Sequence, residues 1–197
     1  MDTKAIEKAE SRLRLARKAL SELEQCENYR DFCDLWYSFL APAKNVYTTL
    51  EQGAKASAQS RQWFGVKKSE RKNDPLLQYL FQARNQDEHG LAAISEHTGD
   101  STAIGVSKPG YSNAIRLDGV IGKGGTLNVQ SLDGLPVKIE KRPNVRLIPV
   151  TGLGGVVYLP PATHKGQAVS DPSPTRLAAL AIAYLSELVE EAKQFAK

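Results

Sequence analysis

An apolar repeat near the start of the chain restricts the fold more than any other feature of the sequence. Apolar side chains recur there at alternating intervals of three and four residues: Ile6, Ala9, Leu13, Ala16, Leu20 and Leu23. This spacing places them on one face of an α-helix. A helix with a single apolar face needs neighbours that cover it, so the repeat predicts an antiparallel helical bundle.

Capping signals divide the helical part of the chain into four predicted helices, at about 3–26, 28–56, 74–90 and 174–196. Asn28 precedes the second helix, and Asp74 with Pro75 begins the third. Gly90 ends the third helix, because glycine readily adopts the backbone conformation that follows a helix. Residues 57–73 are polar and basic and are assigned no helix.

Residues 99–160 differ in composition from the helical part. Glycine and proline become frequent, and short runs alternate between apolar and polar residues. The Asp133–Gly134 step between two such runs is typical of a tight hairpin. These features predict a small antiparallel β meander inserted into the bundle. The result is an α+β fold, with residues 1–97 and 173–197 forming the bundle and 99–165 the β-rich insertion.

The charge balance and the apolar runs restrict the class of protein. The chain has 26 basic and 22 acidic residues, a formal charge of +4, which permits a nucleic-acid partner without requiring one. The amino-terminal segment lacks the apolar run of a secretory signal, and the longest apolar run, 177–185, is too short to cross a membrane. We therefore expect a cytoplasmic protein without membrane association, in which Cys26 and Cys33 are reduced and packed.

Two glycine-rich stretches, 119–127 and 151–157, resemble phosphate-binding loops in composition alone. Neither begins a helix, so both lack the context of a nucleotide-binding loop and are interpreted as hairpins or bulges. Lys123, at the tip of the first stretch, is a minor candidate for a phosphate contact.

Histidine, serine and cysteine residues provide no recognisable metal or nucleophile motif. His89, His97 and His164 lack the spacing of metal ligands, so we predict no metal and no cofactor. His164, in a segment rich in proline and glycine, is interpreted as a loop residue. No serine or cysteine lies in a known nucleophile motif.

The segment 61–72 combines positive charge with aromatic side chains. Its cations outnumber the one acid, Glu70, by five to one and are Arg61, Lys67, Lys68, Arg71 and Lys72. Trp63 and Phe64 lie among them. Cations neutralise phosphates and aromatic rings stack on bases, so this composition suits single-stranded RNA. The alternative is a solvated loop whose two aromatic side chains pack into the core.

Arg84 lies at an unexpected position on the third predicted helix. Residues of an α-helix are spaced by 100° around its axis. Measured from Leu76, Arg84 lies at about 80°, within the apolar arc of that helix. Asn85 and His89 lie at about 180° and 220°. A guanidinium on a buried face requires a partner, a wet cleft or another subunit. Alternatively, Arg84 pairs with Glu88 one turn later and His89 is a helix-end histidine favoured by the helix dipole.

Arg84, Asn85 and His89 form an Arg-Asn-x-x-x-His pattern at the end of a helix, which resembles the signature of the HEPN superfamily. Residues 35–52 and 74–85 are also similar to helices of bacterial members. The resemblance implies a helical bundle that forms a homodimer and cleaves RNA without a metal. It further implies a toxin or defence component, with an antitoxin as a possible protein partner.

The resemblance also implies roles for the three residues. His89 would serve as general base or acid, Arg84 would hold the scissile phosphate, and Asn85 would orient His89 or contact the phosphate. Asp87 and Glu88 depart from this picture, because carboxylates repel phosphate.

Two alternatives to an RNA-cleaving enzyme are a HEPN-like domain that binds RNA or a nucleotide without cutting it, and an adaptor whose insertion docks a protein partner. An exposed apolar patch on the insertion, with Arg84 closed off by Glu88, would favour the adaptor.

Overall fold

A computed structural model describes residues 1–90, 93–106, 115–119, 127–132 and 134–196 of the chain. Within these residues the fold is α+β, with five α-helices and short antiparallel strands. The helices are α1 (Thr3–Leu23), α2 (Tyr29–Gly53), α3 (Ala58–Asn73), α4 (Pro75–His89) and α5 (Pro174–Lys193).

The starts of the helices follow the capping residues. The side chain of Asn28 accepts a hydrogen bond from the Asp31 N–H at 2.9 Å, before α2. That of Asp74 accepts from the Leu77 N–H at 3.0 Å, before α4. Each cap satisfies a backbone donor that has no partner within its helix. The starts predicted for these two helices are confirmed to within a residue.

Helix α3 corrects the prediction that residues 57–73 contain no helix. Its start is capped by Ser57, whose hydroxyl accepts from the Ser60 N–H at 3.1 Å. Ser60 and Phe64 are its only buried side chains in the described structure. A helix that buries so little produces almost no apolar periodicity, which is why the pattern missed it.

The core lies where α1, α2, α4 and α5 meet. The predicted α1 stripe is buried at Ile6, Ala9, Leu13, Ala16 and Leu23, with Leu20 partly buried. Helix α5 packs against α1 and α2, which confirms that the last helix returns to the bundle. Cys26 is buried in the core, Cys33 packs against it, and both are free thiols.

The strands pair in four separate antiparallel ladders. They are β1 (Ser95–Val106) with β4 (Val137–Leu147), β2 (Ile115–Gly119) with β3 (Leu127–Ser131), β5 (Val150–Thr151) with β6 (Val157–Tyr158), and β7 (Thr163–His164) with β8 (Gln167–Ala168). The predicted single meander is therefore wrong, because β2 and β3 form a pair nested between β1 and β4. The longer β1–β4 ladder satisfies more backbone groups than sequential pairing of short strands would.

The hairpin predicted at Asp133–Gly134 is also wrong. The step separates β3 from β4, and each of these strands pairs with a different partner. Gly134 does adopt a left-handed conformation, with φ of 73°, which suits a turn. Asp133 and Lys123 lie outside the described residues.

The base of the insertion is attached to the bundle by buried contacts. The Tyr79 hydroxyl on α4 donates to the Ile148 carbonyl at 2.7 Å, and the Tyr29 hydroxyl on α2 donates to the Ser95 carbonyl at 2.8 Å. Leu147 and Val150 are buried in the same core as the helices. The insertion is thus anchored at one end of the bundle.

We expect Gly53→Ala to destabilise the protein by about 1–3 kcal/mol. A Cβ at Gly53, which ends α2, would overlap the Cβ of Ala5 on α1. Gly65 is the matched control, because it lies in α3 with no neighbour within 4 Å of its Cβ position. Gly65→Ala should stabilise by roughly 0.5–1 kcal/mol through helix propensity. Urea unfolding measures both, and equal effects of the two substitutions would contradict the close α1–α2 approach.

Candidate anion-binding site

Two positively charged side chains lie against the ring of Phe81 and a third, that of Arg84, lies near Lys44; the three come from three helices and are called the cationic cluster. Lys44 on α2 places its Nζ 4.7 Å from the centroid of that ring. Arg71 on α3 places its Cζ 4.1 Å from the same centroid and 5.0 Å from that of Tyr47. Arg84 lies on α4, three residues after Phe81. All three cations are partly buried.

Burial of Arg84 confirms the position predicted from the helix phase. Its side chain is only 15% exposed, and it forms an ion pair with Glu88 one turn later on α4. This is the i,i+4 pair that the sequence offered as the alternative reason for Arg84. The Nε atom of Arg84 is buried without a hydrogen-bond partner in the described structure.

Lys44 and Arg71 have no carboxylate partner within the part of the chain that the structure describes. The Lys44 ammonium donates to the neutral Oδ1 of Asn85 at 2.6 Å. The Arg71 guanidinium stacks on aromatic rings, and its buried Nε has no hydrogen-bond acceptor there. The cluster therefore gathers three positive charges, of which only that of Arg84 has a described ion-pair partner, Glu88.

The crowding of these charges affects Lys44. Burial, followed by the positive charges of Arg84 and Arg71, lowers the pKa of the Lys44 ammonium. On the other side of Arg84, burial raises the pKa of Asp87 while the guanidinium acts in the opposite direction. An anion bound between Lys44 and Arg71 would relieve the repulsion that lowers the pKa of Lys44.

Two of the three residues of the Arg-Asn-x-x-x-His pattern join this cluster. Arg84 lies in it, and Asn85 supports it, because its Oδ1 accepts from Lys44 and its Nδ2 donates to Gln82 at 3.3 Å. His89 is the last residue of α4, and its side chain lies outside the described part of the structure. The predicted convergence of His89 with Arg84 and Asn85 therefore stays a prediction.

The aromatic side chains of the predicted RNA-binding segment pack inside the bundle. Phe64 is buried, and the Trp63 ring lies 5.4 Å from that of Phe195. The Trp63 Nε1 donates to Glu191 on α5 at 3.0 Å. This is the packing described by the alternative interpretation, although Trp63 is only partly buried and both side chains belong to a helix and not to a loop.

The cations of the same segment have different environments. Lys67 pairs with Glu70 at 3.2 Å and with Glu191 at 2.9 Å, and Lys68 pairs with Glu51 at 2.8 Å. Arg61 and Lys72 are exposed, and Arg71 belongs to the cationic cluster. Two of the cations of the predicted basic surface, Lys67 and Lys68, are thus engaged in ion pairs with carboxylates.

Sequence reasoning missed the contact between Asp74 and His164. The Asp74 carboxylate faces the His164 Nδ1 at 3.0 Å, and each side chain is 10% exposed. The same carboxylate caps α4 and accepts from the Lys165 N–H at 2.7 Å. His164 is therefore the end of β7, held to the start of α4, and not the predicted free loop residue. No local pattern relates two residues so far apart in sequence.

The Asp74 contacts alter its ionisation. Burial acts to raise the pKa of this carboxyl, but hydrogen bonds from the Lys165 N–H, the Leu77 N–H and His164 outweigh burial. The pKa therefore falls below its ordinary value. A carboxylate with a depressed pKa stabilises the folded state above its ordinary pKa, and that contribution is lost as the pH falls through the folded value.

The described residues lack the features of a metal site and of a membrane-spanning helix. No three histidine, cysteine or acidic side chains there are grouped so that they would hold a metal ion. None of the described helices combines the length and hydrophobicity needed to span a bilayer.

Comparisons with known proteins were made for both sequence and fold. No model of a protein family matches the sequence, no curated protein is significantly similar to it, and no solved structure matches the fold. A partly buried set of cations with a deficit of carboxylates is suited to binding an anion.

We expect Asp74→Asn to reduce the free energy of unfolding by about 1–3 kcal/mol near neutral pH. The amide oxygen can still cap α4. The negative charge that strengthens the hydrogen bonds from Lys165 and His164 of the β7–β8 hairpin is lost. The difference in free energy of unfolding between the variant and the unaltered protein should shrink as the pH falls below 3.8, the ordinary pKa of this carboxyl. Asp2→Asn, at the cap of α1, is the control. A deficit that is the same at pH 3 and pH 7 in urea unfolding would contradict this account.

Proposed function

We propose that this protein binds RNA by holding a backbone phosphate at the cationic cluster. The single observation that carries the proposal is the surplus of positive charge around Phe81, where neither Lys44 nor Arg71 is neutralised by a described carboxylate. Phosphate accepts charge-assisted hydrogen bonds from lysine and arginine, and these contacts provide most of the affinity for nucleic acids.

We further propose that the bound RNA is cleaved without a metal, as the resemblance to HEPN endoribonucleases implies. The 2′-hydroxyl would lose its proton to a general base and attack the adjacent phosphorus, and the 5′-oxygen would leave with a proton. His89, one turn after Asn85, is the candidate for the proton transfers. Lys44 and Arg71 would stabilise the charge that gathers on the phosphate oxygens.

Glu88 gives the proposed site two states. Without RNA, its carboxylate pairs with Arg84. A phosphate that approaches Lys44 and Arg71 would offer Arg84 a second anionic partner, with the planar geometry that a guanidinium prefers. In this proposal RNA competes with Glu88 for Arg84, and Glu88 lowers affinity without abolishing it.

A homodimer belongs to the same proposal. In the HEPN-like arrangement, a two-fold axis would bring two copies of the α4 end together, so that one cleft contains six cations. An antitoxin that covers this cleft would then be a protein inhibitor of the enzyme.

Replacing Lys44 or Arg71 with glutamine should weaken binding of single-stranded RNA and reduce its salt dependence. Each lost phosphate contact should lower the slope of log affinity against log salt by about 0.7. Fluorescence anisotropy over a series of salt concentrations measures both quantities. Lys68→Gln is the matched control, because Lys68 is a helix cation already paired with Glu51. Unchanged slopes in the Lys44 and Arg71 variants would contradict the phosphate site.

The cleavage proposal predicts that the purified protein cuts single-stranded RNA in the presence of EDTA. His89→Ala and Arg84→Ala should each abolish product formation on a denaturing gel, because one removes the proton-transfer group and the other a phosphate contact. Size-exclusion chromatography should show the same oligomeric state for the variants and the unaltered protein. Cleavage at the original rate in both variants would remove these residues from the mechanism.

A second candidate function is protein docking through the β-rich insertion. Several large apolar side chains of the insertion are between 50% and 69% exposed: Leu117, Leu132, Ile139, Val156, Val157 and Leu159. Together with the Arg84–Glu88 ion pair, this is the pattern expected of an adaptor. Failure of the protein to bind RNA in the salt series would favour this candidate over the first.

A further inference from the structure

A small cavity lies beneath the cationic cluster, between α2, α4 and α5. Its volume is about 50 Å³. Most of its wall is aliphatic or aromatic and buried, including Leu40, Ala43, Leu80, Ala181 and Leu185. An apolar wall of this kind favours an apolar occupant over water.

The mouth of the cavity carries the positive charge. Of the lining residues, only Lys44, Arg71 and Phe81 are partly exposed, and the others are buried. Lys44 and Arg71 both lie against the Phe81 ring, at 4.7 and 4.1 Å from its centroid. A ring face attracts a cation but does not neutralise it.

An unsatisfied donor lies at the same mouth. The Nε of Arg71 is buried and makes no hydrogen bond of good geometry among the described residues, and the Tyr47 hydroxyl, which lies beside this guanidinium in the cavity wall, is likewise buried and unpaired. Buried polar groups in folded proteins are nearly always paired, so the unpaired Arg71 Nε and Tyr47 hydroxyl beside the cavity favour an occupant with a hydrogen-bonding head. Glu88 and Glu70, two carboxylates of the same region, are engaged by Arg84 and Lys67.

We propose that this cavity binds a small organic anion, a short-chain aliphatic carboxylate, with its head between Lys44 and Arg71 and its tail in the cavity. A carboxylate matches the planar fork of arginine. The small volume of the cavity limits the tail to a short chain. Inorganic phosphate would satisfy the cations but leave the cavity empty.

A carboxylate site is a property additional to the proposed RNA binding. If the protein has both properties, the bound carboxylate regulates RNA binding. RNA and the carboxylate use Lys44 and Arg71, so each excludes the other. The carboxylate is therefore a competitive inhibitor of RNA binding. Only this competition rests on the proposed function, since the pocket itself is defined by its charge and its wall.

Isothermal titration of the full chain with acetate, butanoate, pentanoate, hexanoate and octanoate tests the site. The association constant should rise about fourfold for each added methylene until the tail fills the cavity, and then stop rising. Lys44→Gln and Arg71→Gln should lose at least tenfold in affinity for every member of the series. Inorganic phosphate should bind less tightly than the carboxylate whose tail fills the cavity.

Ala181→Leu tests the contribution of the carboxylate's tail separately from that of its head. Ala181 lies in the cavity wall, so leucine there fills the space and leaves both cations in place. The variant should bind acetate as before and show no gain with chain length. If it does not fold, nuclear Overhauser contacts between the pentanoate methyl and the methyl groups of Ala181 and Leu185 in the unaltered protein provide the same test.

An association constant that is independent of chain length, or equal in Lys44→Gln and the unaltered protein, would overturn the carboxylate site. The failure of one proposal is distinguishable from the failure of the other. RNA binding without carboxylate binding would remove the organic-anion site alone. Carboxylate binding without RNA binding would remove the proposed RNA function alone.

Discussion

The attraction of two cations to one aromatic ring is the interaction on which the candidate site depends. Phe81 holds Lys44 and Arg71 against its faces, and it does so without supplying the negative charge that an ion pair would. Because the two cations come from α2 and α3 and the ring from α4, the arrangement exists only when these three helices pack together. The packing of α2, α3 and α4 therefore both stabilises the bundle and forms the candidate anion-binding site.

The folded core supports this arrangement from below. In α2 and α4 the residues that precede the cluster, such as Ala43 and Leu80, are buried between the helices, so Lys44 and Phe81 extend from the core. The Asp74 carboxylate fixes the start of α4 and attaches the β7–β8 hairpin beside it. The β-rich insertion is anchored through Tyr29 and Tyr79, and it also contacts α4 at Gln82 and Gln86. The three cations themselves all lie on helices.

Local patterns predicted the helices that bury a full stripe, and the caps at Asn28 and Asp74 located their starts. They did not predict α3, which buries only Ser60 and Phe64, nor the nested strand pairing, because the choice of β4 as partner for β1 is not local. The burial of Arg84 and its pairing with Glu88 followed from helix phase and i,i+4 spacing. Lys44 was not predicted as part of the site, since its position depends on how α2 crosses α4. The resemblance to HEPN proteins stays a prediction.

The central claim is that the cations of this cluster repel one another and that Lys44 and Arg71 have no carboxylate partner among the described residues. Titration of the Lys44 side chain by NMR, with selectively labelled lysine, tests it most directly. The account predicts a pKa for Lys44 below the ordinary value of 10.5, and a rise toward that value in Arg71→Gln, because one of the repelling charges is removed. A pKa at or above 10.5 in the unaltered protein, unchanged in the variant, would contradict the account.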